Sequence, residues 1–130
     1  VPNLHWDCTE DGCYRQQLPD WSPFNDCFPR GIRIGDIDGI VEIGGRFLML
    51  EWKGGKNVSL PNGQRQLLKR FGKPPDAVLC LRGTPSDLQW LVFDGSEPDG
   101  WHDVSLDEVK AWVKRWAAEA DRMPWTGGTR

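Results

Sequence analysis

Three absences frame this chain of 130 residues. No apolar run reaches the roughly 20 residues that a helix needs to cross a bilayer, and no stretch resembles a secretory signal. The expectation is a cytoplasmic protein with no membrane partner. Internal repeats and low-complexity segments are also missing, which excludes a solenoid or a compositionally biased tract. Finally, the chain has no overall excess of positive charge, its formal net charge being −3. Whole-chain attraction to a phosphate backbone is therefore not an argument available to it. What remains, 38% hydrophobic and 27% charged residues, fits one globular domain, 1–130, large enough to bury an ordinary core.

The charge is unevenly divided. Residues 1–45 hold eight acidic and three basic side chains, and residues 83–130 hold nine acidic and five basic. Between them, residues 46–82 hold eight basic and two acidic side chains. Local potential, rather than the total, is what draws a phosphate backbone. A solvated helix face would produce a similar run.

Residues 1–32 are irregular, punctuated by Pro2, Pro19, Pro23 and Pro29, with one short helix expected near Asp11–Gln17. The next segment, Gly35 to Lys53, reads as two strands joined at Gly44-Gly45, since glycine-containing two-residue loops favour tight hairpins. A helix is expected from about Gly63 to Phe71, stopped by Pro74-Pro75. Strands follow at Asp76–Leu81 and Leu88–Phe93. Ser105 and Glu108 have capping-box spacing and open an amphipathic helix, 105–121. Residues 124–130 read as a loose tail. This order predicts an α/β fold with a mixed central sheet of about four strands flanked by helices. The helical crossover sets the third strand parallel to the second.

Pairing Ile43 with Arg46 across the turn places Asp38 opposite Glu51 and Asp36 opposite Lys53. Side chains alternate faces. Ile37, Gly39, Val41 and Ile43, with Leu48, Leu50 and Trp52, then form a core face. Asp36, Asp38, Ile40 and Glu42, with Phe47, Met49, Glu51 and Lys53, form the polar one. Carboxylates held directly opposite repel, and a hard divalent cation is one way to relieve them. A solvated face carrying a cross-strand ion pair is the alternative.

Asp38, the hairpin, Glu51-Trp52-Lys53 and then Gln64 at the start of the next helix resemble the core of the PD-(D/E)xK nuclease superfamily. The closest likeness is to its virus-type replication and repair subgroup, whose helix begins with glutamine. The resemblance covers roughly 33–81 and implies a restriction-endonuclease-like fold around that catalytic core. Ile37 stands where the family often has proline, and Glu10 is the sole candidate for its amino-terminal glutamate.

The resemblance implies Mg²⁺- or Mn²⁺-dependent hydrolysis of DNA. Asp38, Glu51 and the Trp52 backbone carbonyl would hold the metal, Lys53 and Gln64 would complete the catalytic set, and Asp36 would support it. Lys56, Arg65 and Lys69 are candidates for contacts to DNA phosphates. A phage or mobile-element protein, working as a homodimer if it cuts both strands, suits this picture. The alternative is a catalytically inactive module of the same fold that binds nucleic acid or protein.

His5, Cys8, Cys13 and Cys27 offer four zinc ligands, with free thiols as the other reading. Cys80 reads as a small buried residue. Among the tryptophans, Trp52, Trp112 and Trp116 are expected in the core. Trp6, Trp21, Trp101 and Trp125 are better placed for interactions, and His102 reads as ordinary surface.

Overall fold

The structure, a computed structural model, describes residues 20–130. His5, Cys8, Cys13, Trp6, Glu10 and the helix expected near Asp11–Gln17 lie outside the described residues. The chain divides into two compact units, Val1–Asp36 and Ile37–Arg130. In the first, the described residues form two short 3₁₀ turns, Ser22–Phe24 and Pro29–Gly31, each with proline in its opening positions. Cys27 is exposed there, and the Trp21 and Phe24 rings lie 6.2 Å apart, both residues a little under half exposed.

The second unit is a five-stranded mixed sheet with one helix against each face. Its strands are β1 (Gly39–Ile43), β2 (Arg46–Lys53), β3 (Ala77–Thr84), β4 (Asp87–Phe93) and β5 (His102–Val104). They lie in the order β1-β2-β3-β4-β5. Helix α1 (Asn62–Phe71) joins β2 to β3, and α2 (Leu106–Arg122) closes the unit. Only β2 and β3 are parallel; the other neighbouring pairs are antiparallel. This agrees with the expected mixed sheet and helical crossover. The fifth strand, three residues long, exceeds the expected count.

Gly44 and Gly45 both have positive φ, at 57° and 81°, the conformation a two-residue hairpin loop demands. The resulting register pairs Ile43 with Arg46 and Gly39 with Leu50, as the sequence predicts. At the other end of the unit, the Ser105 hydroxyl accepts from the Glu108 N–H, and the Glu108 carboxylate accepts from the Ser105 N–H. The capping box therefore forms as expected.

The core has two halves. On one face Leu48, Ala77, Leu79, Leu81 and Leu88 pack with Val109 of α2. On the other Met49, Val78, Cys80, Leu91 and Phe93 pack with Leu68 of α1. This corrects the expectation of one core face and one polar face on the hairpin. Strand β2 is buried on both sides because it belongs to the parallel pair that α1 bridges, and crossover helices cover such strands. Conversely, β1 is an edge strand, leaving the supposed core residue Val41 40% exposed.

Trp52 also departs from its expected core position. It is 43% exposed, and its indole N–H donates to the Gly83 carbonyl at 3.0 Å. Trp112 and Trp116 pack on the core as expected, partly buried. Trp101, expected to be an interaction residue, packs against the α1-side core.

Nor are residues 124–130 loose. The Trp125 N–H donates to the Gly44 carbonyl at 2.7 Å, and Arg46 Nε donates to the Met123 carbonyl at 2.6 Å. Arg130 forms a two-pronged ion pair with buried Asp76, at 2.8 and 3.0 Å. The tail therefore lies across the hairpin turn. Among the described residues no helix is long and apolar enough to cross a membrane.

Candidate active site

Glu51 and Lys53 are two residues apart on β2, so both point to the face that α1 covers. Gln64 lies in the first turn of α1 and faces them. Its side-chain N–H donates to Glu51 Oε2 at 3.3 Å. Lys53 Nζ stands 3.9 Å from the same oxygen. Asp38 immediately precedes β1, one step beyond the last ladder pair, Gly39 and Leu50. Its Oδ2 accepts the Trp52 N–H at 2.8 Å, which fixes the carboxylate against the end of β2. Four residues separated by up to 26 positions in the chain thus meet at one end of the parallel pair.

Glu51 is 5% exposed. Burial pushes its carboxyl up from the ordinary glutamate range, the Asp38 charge pushes it further, and Lys53 opposes both. Desolvation disfavours the ionised acid and a nearby like charge compounds it. The contacts that favour its charged form are the Gln64 amide, the Lys53 ammonium at the limit of ion-pair distance and the Asp38 backbone. They do not offset burial and the Asp38 charge, so negative charge is left under-compensated here. No group of three or more His, Cys, Asp or Glu gathers among the described residues. The acidic donors of this cluster are two carboxylates.

Beside Glu51 on β3 lies Cys80, and beside Lys53 lies Arg82. Cys80 is fully buried, and burial, reinforced by Glu51, pushes its thiol up to about 12. The sulfur is therefore a neutral packing atom at ordinary pH. Arg82 is held in place by three groups. It donates to the Gln89 side chain and to the Val58 carbonyl, each at 2.9 Å, and its guanidinium carbon lies 4.2 Å from the centre of the Trp101 ring. Gln89 in turn donates to Asp103 at 2.9 Å. Sequence reasoning missed this polar row beside Lys53. Its signal would have been the constant offset between β2 and β3, which one hairpin register cannot supply.

The remaining expected residues fall elsewhere. Lys56 pairs with Asp87 at 2.8 Å, while Arg65 and Lys69 both pair with Glu97, at 3.2 and 3.0 Å. All three cations proposed to touch phosphates are thus engaged by acids. Asp36 ends the first unit, outside the β1–β2 ladder. Of the four expected zinc ligands, Cys27 alone is among the described residues. Comparison with family models, curated proteins and solved structures found no match.

Proposed function

We propose that this chain is a divalent-metal-dependent nuclease of the PD-(D/E)xK type, with a restriction-endonuclease-like fold, that hydrolyses DNA phosphodiester bonds. The observation carrying the reading is a buried, under-compensated Glu51 set among Asp38, Lys53 and Gln64. This donor set fits a hard cation that takes one or two carboxylates and completes its shell with water and substrate phosphate. Asp38 and Glu51 would hold Mg²⁺ or Mn²⁺, with the Trp52 carbonyl as a further oxygen. When bound, the metal supplies Lewis-acid polarisation of a phosphoryl oxygen and a lowered pKa for a coordinated water.

The chain's own groups do the rest. Lys53 presents an ammonium where charge grows on the phosphate in the transition state. Gln64 donates to the same Glu51 oxygen that Lys53 approaches and so helps to orient the carboxylate. Asp38, anchored on the Trp52 amide, is already oriented and loses little freedom on binding.

Cleavage of plasmid and linear DNA in Mg²⁺, Mn²⁺ and chelator tests the proposal. Glu51→Ala, Asp38→Ala and Lys53→Ala should each lower metal-dependent cleavage by about 10²-fold or more, the scale of losing a group that stabilises transition-state charge. Wild-type cleavage by the Glu51 variant would sink the mechanism. Metal-independent binding with no product from the wild type would favour the inactive-module reading.

A further inference from the structure

A cleft opens on the same sheet face as Glu51 and Lys53, toward the other end of β2. Its volume is about 610 Å³, and its walls include Ile40, Phe47, Phe71, Arg70, Lys73 and Arg130. It brings three cations to two half-buried aromatic rings, with Asp76 in the same wall pairing one of the cations, Arg130. Arg70 and Lys73 are exposed and hold no ion pair among the described residues. Arg130 is fixed by Asp76 and lies 5.1 Å from the centre of the Phe47 ring. Ile40 is 52% exposed, so flat apolar surface is open to solvent beside the charges.

The contrast with the other cations is informative. Lys56, Arg65 and Lys69 must each give up an acid before they can meet a phosphate. Arg70 and Lys73 need give up nothing.

We infer that this cleft is a binding subsite for an unpaired nucleotide of a single-stranded DNA segment. Its base would stack against the half-buried Phe47 ring beside Arg130, with Phe71, packed on the α1-side core, as the wall behind it, and its flanking phosphates would meet Arg70 and Lys73. Aromatic platforms beside a positive track are how single strands are held without reading sequence, because every base has a π-face. A base paired within a duplex keeps its faces stacked and cannot enter. Phe47 and Glu51 are four residues apart on β2, about 13 Å at ~3.3 Å per residue. The inference rests on the nuclease reading and deepens it: the substrate would be DNA with a frayed or single-stranded segment near the scissile phosphate.

Binding is measured in chelator, without turnover, using fluorescent dT12 and a blunt 12-base-pair duplex over a series of salt concentrations. Wild type should prefer dT12. Phe47→Leu retains apolar bulk but loses the ring, and should weaken dT12 binding about tenfold, within the range of one lost stacking contact. R70Q/K73Q, two exposed substitutions that leave packing intact, should weaken binding and flatten the salt dependence for dT12 by about 1.4, at ~0.7 per lost phosphate contact. Equal binding of both DNAs, or wild-type affinity and salt slope in R70Q/K73Q, would overturn the proposal. A dead Glu51→Gln enzyme with unaltered R70Q/K73Q binding would fail the subsite alone. Active Glu51→Gln with weakened R70Q/K73Q binding would fail the nuclease site alone.

Discussion

The two faces of the sheet start alike and end differently. Against α2, side chains of β2 and β3 are apolar from Leu48 and Ala77 through Leu79 and Leu81. Against α1, the strands begin with Met49 and Val78 but finish with Glu51, Lys53 and Arg82. The same two strands therefore build a stabilising interface on one side and a charged one on the other. What differs is where the helix lies: α1 presents Leu68 to the apolar half and Gln64 to the charged half. The lesson is that a core and a site can share one strand pair, with burial common to both and only one of them at ease with it.

The largest effect is expected on the α2 side. Leu79→Ala, at a side chain 1% exposed, should cost about 2–5 kcal/mol in urea unfolding, through lost transfer energy and a cavity. Any lost activity in that variant should track the unfolded fraction. On the α1 side, Glu51→Gln should do the reverse, abolishing cleavage while keeping or raising the thermal midpoint. The sign follows from linkage. Because the folded carboxyl sits above its unfolded value of 4.5, the folded state binds more protons, and stability falls as pH rises from about 4.5 through the raised value. Glu51→Gln should remove that decline. It should also remove the stabilisation by Mg²⁺ expected of wild type, about 2.7 kcal/mol at 100 times the dissociation constant. A pH-stability curve identical to wild type would contradict the burial argument.

The smallest effect sharpens the boundary of the site. Glu97 is held low by exposed Lys69 and then by half-buried Arg65. Glu97→Ala should barely change the melting temperature, since exposed ion pairs contribute little. By releasing two cations of α1 it should increase DNA affinity several-fold at low salt, and lose that gain as salt rises.

Much of this geometry was legible locally. Gly44-Gly45 specified the hairpin register, Pro74-Pro75 the end of α1, and Ser105 with Glu108 the start of α2. Asp38, Glu51, Lys53 and Gln64 could be brought together because one turn and one crossover separate them. Other features depend on partners remote in sequence. Phe47-Leu48-Met49-Leu50 is an unbroken apolar run, the pattern of a strand buried on both faces, yet alternation through Glu51 and Lys53 masked it. The acids that engage Lys56, Arg65 and Lys69 lie about 30 residues away, across a loop whose path no periodicity predicts. Strand β5 is too short to show a period. The tail docks through the Trp125 N–H on the Gly44 carbonyl and through Arg130 on Asp76, pairings remote in sequence that carry no local signature.

The bond from the Trp52 amide to Asp38 has a consequence of its own. It ties one backbone proton to the carboxylate on which the proposed chemistry depends. Any ligand that draws electron density from Asp38 must weaken that proton's acceptor, and removal of the carboxylate leaves the proton to water. The Trp52 amide is thus a reporter built into the strand, its exchange rate and magnetic environment reading the occupancy of the site from the backbone side.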